Sequence, residues 1–350
     1  GVSFYTFHAI SYLVDVYRQK TPPQKNLLRL GLYLALFPKL VMGPIVPYHE
    51  LEPALAQRTI DAQDVSDGCF RFTIGLAKKA LLADALAGLV TGIWGDLASL
   101  TVLSAWLGLI GYALQLYFDF SGYSDMAIGL GRMLGFRFPE NFRYPYLCSS
   151  ITDFWRRWHI SLGSWFKEYL YFPLGGSRTG TLRTLRNLLL VWLATGLWHG
   201  ASWNYVLWGL YFGVLICLEK LLAPRFRAHP RKGLLAGLYR PVCLLLAVLG
   251  WVLFRAGDLP AAGRYFACLF GGAAGASAQA RLYLHDFWPV LLLGAVGATP
   301  LCAKLAGRLG AKLQPGVRAA VQAVLVLALL ACSTVWLLNG SFQSFVYFQF

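Results

Sequence analysis

The sequence is poor in charged residues. Only 13% of its 350 residues are Asp, Glu, Lys or Arg, whereas 57% are hydrophobic. A soluble domain carries about 25% charged and roughly 45–50% apolar residues. The composition therefore argues against an ordinary soluble domain and predicts an integral membrane protein.

Acidic residues are the scarcer of the two charge types. The chain has 16 acidic and 31 basic residues, for a formal net charge of +15. In a soluble protein this balance would suggest a nucleic-acid partner. Here the basic residues concentrate in residues 220–240 and 304–318, between apolar runs. Short cytoplasmic loops of membrane proteins are rich in Lys and Arg, so we expect both segments in the cytoplasm and no nucleic-acid partner. The acidic segment 47–69 and the loop 255–286 are then expected outside.

Several common signatures are missing. The seven cysteines are scattered without metal-ligand spacing, so we expect neither a disulfide nor a metal site. The sequence contains no Gly-x-Ser-x-Gly elbow, no phosphate-binding glycine loop, no His-Glu-x-x-His motif and no internal repeat. No charged region precedes an apolar one near residue 1, so no signal peptide is expected. We expect a single domain over residues 1–350.

The sequence does contain long apolar runs. A run of roughly 17–25 mostly apolar residues is long enough to cross a bilayer as a helix. Clear candidates are 70–94, 97–118, 234–254 and 318–338, and weaker ones are 27–46, 185–198, 200–218 and 287–303. The runs predict an all-α integral membrane protein, a multi-pass helical bundle with about eight spans.

Residues 117–204 are too polar for simple spans. In 151–170 the apolar positions recur at helical spacing, which predicts an interfacial amphipathic helix that Ser150 or Thr152 could cap. In 185–218 two apolar legs flank residues 198–204, and we expect a re-entrant hairpin with a polar apex inside the protein. A further crossing or re-entrant segment near 122–135 would reconcile the basic excess of 119–186 with the expected topology.

Two of the six histidines have a distinctive context. His199 lies between the two apolar legs, and His159 lies on the predicted amphipathic helix. An ionisable group at membrane depth is costly and usually marks a pathway or a site, and histidine exchanges protons near neutral pH. The competing interpretation is a hydrogen-bonded packing residue. His8, His49 and His285 have no such context, and His229 is expected in a solvated loop.

Other polar residues have two open interpretations each. The cluster around Asp119, Ser121, Tyr123 and Asp125 follows a long apolar run, and it either ends a helix or lines a substrate-binding site. Arg156 and Arg157 either bind phosphate groups of a substrate or contact lipid head groups.

Several stretches carry a resemblance to a known family. Residues 1–17 read GVSFYTFHAISYLVDVY, 37–48 read FPKLVMGPIVPY, and 115–146 read QLYFDFSGYSDMAIGLGRMLGFRFPENFRYPY. Residues 151–176 read ITDFWRRWHISLGSWFKEYLYFPLGG, 196–204 read GLWHGASWN, and the chain ends in VYFQF. With these motifs the chain resembles the membrane-bound O-acyltransferases, and within them the bacterial alginate O-acetyltransferase type.

The resemblance implies a ring-like bundle of helices around a central tunnel. The family's invariant histidine falls on His199, as general base or transient acyl carrier, and its second histidine falls on His159, which handles protons or orients the donor. Asp153, Trp203 and Asn204 are expected to help shape the substrate site. Family members of this type begin with further membrane helices before the GVSF-like motif, so we expect the chain to lack N-terminal transmembrane helices.

The implied function is O-acyl transfer. The chain would move acetyl groups from a cytoplasmic thioester donor, acetyl-CoA or another acyl thioester, across the bacterial inner membrane for O-acetylation of an exopolysaccharide such as alginate. Membrane lipid, the acyl donor and a periplasmic serine-hydrolase-like acetyltransferase are the expected partners, with no bound cofactor. The alternatives are D-alanyl transfer to teichoic acid, a transporter or channel without chemistry, and a scaffold subunit.

Overall fold

The computed structural model describes residues 2–178, 180–228 and 234–340. His229 and the VYFQF end therefore lie outside the described residues. The described part is all-α, as predicted, and an isolated β-bridge between Phe142 and Trp158 is its one extended pairing. The α-helices are α1 Val2–Tyr17, α2 Leu27–Ala35, α3 Phe37–Leu40, α4 Tyr48–Ala56, α5 Ala62–Ala77, α6 Asp84–Gly95, α7 Val102–Met133, α8 Ile151–Trp155, α9 Ile160–Phe166, α10 Thr181–His199, α11 Trp203–Ala228, α12 Leu234–Arg255, α13 Leu259–Leu269, α14 Ala278–Gly297, α15 Leu301–Gly310 and α16 Pro315–Asn339.

Helix α7 is the centre of the bundle. It packs against α5, α6, α12, α13 and α14. In its apolar window 72% of the residues are buried, compared with 6% in the peripheral helix α16. A helix that is apolar yet mostly exposed, as α16 is, needs an apolar solvent, so the periphery of this fold suits a bilayer.

Four helices in the described ranges are long and apolar enough to cross a membrane: Val102–Met133, Trp203–Leu222, Gly237–Arg255 and Pro315–Asn339. The bent pair of α14 and α15 could supply a fifth, with an angle of 67° between its parts. The multi-pass membrane fold is confirmed with fewer clear spans than expected. A tunnel through the bundle stays a prediction.

Two expected spans differ from the observed helices. The run 27–46 is not one helix, because the chain leaves the helical conformation at Leu36 and α3 ends at Leu40. The run 70–94 is helical throughout, but it is not a single α-helix, because a π-helical segment, Lys78–Ala83, joins α5 to α6.

The expected span 97–118 belongs to a longer helix. The Thr101 side chain caps α7 at its start, and the helix then runs for 32 residues, about 48 Å, to Met133. The further crossing or re-entrant segment near 122–135, offered above as a way to reconcile the topology, does not form, because these residues continue α7 as far as Met133. The polar residues after Phe118 do not end the helix, since other helices supply their partners.

Candidate active site

The hairpin predicted from residues 185–218 is present, but residues 201–203 at its apex are exposed and not buried inside the protein as expected. Helix α10 ends at His199 and α11 begins at Trp203, so residues 200–202 form the apex. The two legs touch at Gly196 and Gly209: a Cβ on Gly196 would lie 2.3 Å from the Tyr205 carbonyl oxygen, and one on Gly209 would lie 2.3 Å from that of Trp192. Glycine at both positions lets the two backbones approach this closely.

His199 lies at the apex among aromatic rings. Its ring centroid is 4.6 Å from that of Trp198, 4.9 Å from Trp208 and 5.0 Å from Phe254. The residue is half-buried. Bulky neighbours from α10, α11 and α12 therefore fix the imidazole without enclosing it completely.

The amphipathic helix predicted over 151–170 is broken into three parts. Helix α8 ends at Trp155, α9 begins at Ile160, and a π-helical segment, Lys167–Tyr171, follows α9. The predicted cap is confirmed for Ser150, whose Oγ accepts the Asp153 N–H at 3.0 Å. His159 occupies the break with φ 45° and ψ 54°, a left-handed conformation that is uncommon for histidine.

Asn141 holds the two residues that follow this strained residue. Its backbone oxygen accepts the Ile160 N–H at 3.0 Å, and its Oδ1 accepts the N–H and the hydroxyl of Ser161 at 3.1 and 2.9 Å. Its Nδ2 donates to Ser124 Oγ on α7 at 3.0 Å. A strained backbone persists only where its surroundings determine it, and such residues cluster at functional sites.

The His159 ring is buried against aromatic neighbours. Its centroid lies 4.6 Å from Phe120, 6.2 Å from Phe4 and 6.4 Å from Trp198. Its Nε2 is buried and makes no hydrogen bond to the described residues. A buried polar atom without a partner is costly, so it indicates a site built for a hydrogen bond to something else. Both predicted histidines therefore lie beside the same indole, Trp198.

His159 lines a cavity of about 400 Å³, which we call the histidine cavity. Arg156, which is exposed, and Lys167 also line it, and so does the Thr152 side of α8. The other walls are mostly apolar, including Trp155, Trp158, Leu162, Phe166, Leu188, Val191, Trp192 and Ile216. An apolar groove with two cationic groups suits an acyl chain attached to an anionic carrier.

The predicted carboxylates of α7 lie in ion pairs with α5 and its π-helical extension. Asp119 contacts Lys79 at 2.7 Å, and Asp125 contacts Arg71 and Lys78 at 2.6 Å each. The interpretation of this cluster as a helix end is wrong, because α7 continues past it. The role of these carboxylates in binding a substrate stays a prediction.

The other two polar side chains of that cluster, Ser121 and Tyr123, lie in different surroundings. Ser121 is buried, and its Oγ makes no hydrogen bond to the described residues. Tyr123 packs against the apolar cluster that contains Phe4, Leu162 and Phe166, beside the histidine cavity.

Asp153 and Arg157 pair with each other on the α8 segment. Arg157 Nε donates to Asp153 Oδ1 at 2.9 Å, and the Ser149 N–H donates to Asp153 Oδ2 at 2.8 Å. Burial alone would raise the pKa of Asp153, but these hydrogen bonds hold the pKa below its usual range. Both residues thus stabilise the start of the segment that carries His159.

The two predicted residues after the apex have different positions. The Trp203 side chain is 71% exposed, at the rim. Asn204 is buried, and its Nδ2 donates to the Ala256 carbonyl at 2.6 Å, which ties the hairpin to the end of α12. Its Oδ1 has no partner among the described residues. Asn204 therefore has a clear structural role next to His199.

Sequence reasoning missed one residue that shapes this site. Glu219 on α11 accepts the N–H groups of Ile151 and Thr152 at 2.6 and 2.9 Å, and the Thr152 hydroxyl at 2.6 Å. The Tyr239 hydroxyl donates to it at 2.6 Å. An acid 68 residues away in sequence from the helix that it caps leaves no local signal. Among the described residues, no three His, Cys, Asp or Glu side chains are grouped as a metal would require.

Comparison with known proteins gives one family match. The model of the membrane-bound O-acyltransferase family matches residues 18–239, a range that includes both histidines. The chain is 47% identical over 77% of its length to the "Probable alginate O-acetylase AlgI" of Pseudomonas fluorescens, of which the match covers 54%.

More distant relatives have other acceptors in their names. The chain is 37% identical over 75% of its length to a peptidoglycan O-acetyltransferase of Helicobacter pylori, of which 55% is covered. It is 29% identical over 62% of its length to a teichoic acid D-alanyltransferase of Bacillus subtilis, of which 57% is covered. The chain spans about half the length of the curated relatives it matches.

Proposed function

The chain belongs to the membrane-bound O-acyltransferase family, and from that premise we propose that it moves acetyl groups from a cytoplasmic thioester donor across the bacterial inner membrane, for O-acetylation of an exopolysaccharide such as alginate. The observation that carries the proposal is the arrangement around Trp198. One histidine stands at a hairpin apex. The other is strained, its Nε2 has no hydrogen-bond partner among the described residues, and it faces an apolar cavity with a cationic rim.

His199 is the proposed general base. One of its ring nitrogens takes the proton of an acceptor hydroxyl while the hydroxyl oxygen attacks the acyl carbonyl carbon. The carbon–sulfur bond of the thioester then breaks and the thiolate leaves. The aromatic neighbours of His199 keep the ring in place and limit access of water, which would otherwise compete as acceptor.

His159 is the proposed partner on the donor side. Its Nε2, which no described residue hydrogen-bonds, is available to the acyl group or the leaving thiolate, and its strained backbone fixes the direction of the ring. Arg156 and Lys167 are placed to pair with phosphates of a carrier such as coenzyme A. Replacing Arg156 with Ala should raise the KM for acetyl-CoA more than it lowers kcat.

The identities of the relatives support acetyl over D-alanyl transfer. The match to the alginate O-acetylase is 47% identical, whereas the match to the teichoic acid D-alanyltransferase is 29% identical and covers less of the chain. Delivery to the polymer by a periplasmic serine-hydrolase-like partner completes the proposal.

The test is acetyl transfer from radiolabelled acetyl-CoA in membranes that contain the chain. Replacing His199 with Ala should lower the rate about 10²–10⁴-fold, the usual contribution of a general base. His285 is a matched control, because its side chain is 83% exposed and its replacement with Ala should change nothing.

If a correctly inserted His199→Ala protein transferred acetyl at the normal rate, His199 would not be the general base. Proton or solute flux that depends on His199 without acetyl transfer would instead identify a transporter. D-alanyl transfer from a charged carrier protein would replace the acetyl proposal within the same family.

A further inference from the structure

Helix α15, Leu301–Gly310, is open to its surroundings along its whole length. The structure describes all 10 of its residues, and none of them is buried. Leu301, Leu305 and Leu309 are 48%, 47% and 64% exposed, and their spacing of four residues places them on one face of the helix. We call this face the leucine stripe. Exposed apolar surface is costly in water, so the stripe needs an apolar covering.

The direction of α15 is set by a bend after α14. The two helices meet at an angle of 67° across residues 298–300. The apolar run 287–303 includes the end of α14 and only the first turn of α15. Helix α16, which follows α15, is apolar and long enough to cross a membrane, and most of it is exposed. Helix α15 therefore lies between two membrane-facing helices, with its axis turned away from theirs toward the membrane plane.

Basic side chains form a second stripe beside the leucines. Lys304 and Arg308 are four residues apart in α15, and Lys312 follows in the turn that ends the helix, where its N–H donates to the Leu309 carbonyl at 3.1 Å. All three basic residues are exposed, and each directly precedes a leucine. Long basic side chains beside an apolar stripe can hold their charges in water while the leucines insert into an apolar phase.

A fourth cation joins this basic stripe from α16. A Cβ on Gly310 would lie 3.6 Å from Arg318 Nε, so the Arg318 side chain lies against the end of α15. The sequence has no Asp or Glu after Asp286. No acid of α15 or α16 therefore balances the four positive charges, and this surface attracts an anionic partner.

We propose that α15 lies in the membrane interface and binds the phosphate groups of anionic phospholipids, with the leucine stripe among the acyl chains and the four cations at the head groups. The lipid phosphates supply the negative charge that α15 and α16 lack, and the acyl chains cover the exposed leucines. A basic amphipathic helix in the interface plane has this arrangement of faces. The inference goes beyond the proposed function, because it requires no acyl transfer.

The depth of the leucine stripe is measured with a fluorophore on Cys302. This exposed thiol is three residues before Leu305, so it shares the face of the leucines. The other accessible thiols are removed with Cys69→Ser, Cys268→Ser and Cys332→Ser. In nanodiscs, nitroxides on the first part of the lipid acyl chain should quench the fluorophore more than iodide in the water does, as expected for a face buried about 5–10 Å into the interface.

The lipid preference is measured with the same fluorophore. Nitroxide-labelled phosphatidylglycerol and phosphatidylcholine are compared as quenchers, and the ratio of their apparent association constants reports the local preference for the anionic lipid. A cation near an anionic surface is worth about fivefold in affinity, so Arg308→Gln with Lys312→Gln should lower this ratio about tenfold or more at low salt. Arg308→Lys keeps the charge and should keep the ratio.

The matched control is Arg264→Gln with Arg281→Gln. It removes the same charge from two exposed side chains, one on α13 and one at the start of α14, at the far end of that helix from α15. The control should have the ratio of the unmodified chain. A general effect of net charge on the lipid around the protein predicts instead that the two double variants behave alike.

Two results would overturn the inference. Stronger quenching by iodide than by the lipid nitroxides would place α15 in water, where its basic stripe fits an acidic protein. An equal phosphatidylglycerol preference for the two double variants would show that the cations of α15 do not bind lipid phosphates. Acetyl transfer enters neither measurement, so failure of the proposed function would leave both results unchanged.

Discussion

The close contact between α10 and α11 should be essential for activity. Replacing Gly196 with Ala puts a methyl group 2.3 Å from the Tyr205 carbonyl oxygen and 3.4 Å from Gly209 Cα. Both neighbours are backbone atoms, so no side chain can turn away. The only relief is separation of the two helices at the base of the apex that carries His199.

The size of the effect follows from the geometry. Carbon contacts are comfortable at about 3.5 Å, so the legs must part by roughly 1 Å. Overpacking of this kind costs about 1–3 kcal/mol of stability. A displacement of a catalytic group by about 1 Å can lower the rate on the order of 10²-fold. We therefore expect Gly196→Ala to insert and fold, to melt earlier, and to lose most of its acetyl transfer.

The assay compares melting in detergent and acetyl transfer in membranes with those of Gly263→Ala. Gly263 lies in α13, and a Cβ added there would have no neighbour within 4 Å, so alanine at this position should be neutral or stabilising by less than about 1 kcal/mol. Equal melting and equal activity of the two variants would refute the argument that the glycine contact positions the apex.

Three further predictions concern the polar contacts around the site. Lys79→Met removes the buried cation that lies 2.7 Å from Asp119, which should lower the free energy of unfolding by about 3–5 kcal/mol. Adding Asp119→Asn should restore part of this stability. A normal melting temperature for the single variant would contradict the prediction. The hydrogen bond from Lys20 holds the pKa of Glu168 below its ordinary value of 4.5, so this pairing stabilises the fold above that pH and is lost as the pH falls through the lowered pKa. Glu168→Gln should therefore flatten the fall in melting temperature in acid, and an unchanged profile would exclude the pairing as a cause. Glu219→Ala should lower the melting temperature by removing a helix cap, worth about 0.5–2 kcal/mol, and reduce acetyl transfer more than Glu219→Gln does.

Features set by local sequence were predictable. The hairpin of α10 and α11 follows from two apolar legs around a polar apex, and Ser150 is recognisable as a cap from its position before an apolar periodic run. The all-α membrane fold follows from composition and the long apolar runs. These features depend on residues within one helix length of each other, and hydrophobic periodicity detects patterns over that range.

Features set by distant contacts were not predictable. The helix over 151–170 has the right periodicity, but Asn141 pulls the chain out of the helical conformation at His159. Helix α7 continues through Asp119 and Asp125 because an arginine of α5 and two lysines of the adjoining π-helical segment neutralise these carboxylates.

The pairing of Asp15 on α1 with His49 on α4, where Asp15 Oδ2 lies 2.7 Å from His49 Nδ1, shows the same limit. Its members are 34 residues apart, on two helices whose packing no local pattern specifies. On sequence alone His49 is indistinguishable from His285, and only its lower exposure and a neighbouring cavity of about 310 Å³ distinguish it in the structure.

The position of α9 has a thermodynamic consequence. Three of the residues that line the histidine cavity, Ile160, Ser164 and Lys167, also line a cavity of about 310 Å³ on another face of α9. A ligand that shifts these side chains while filling one cavity changes the binding free energy in the other, and linkage requires the effect to be equal in both directions. The short helix α9 would thus make the affinities of two ligands interdependent. Binding of one ligand would change the affinity for the other before any bond is broken.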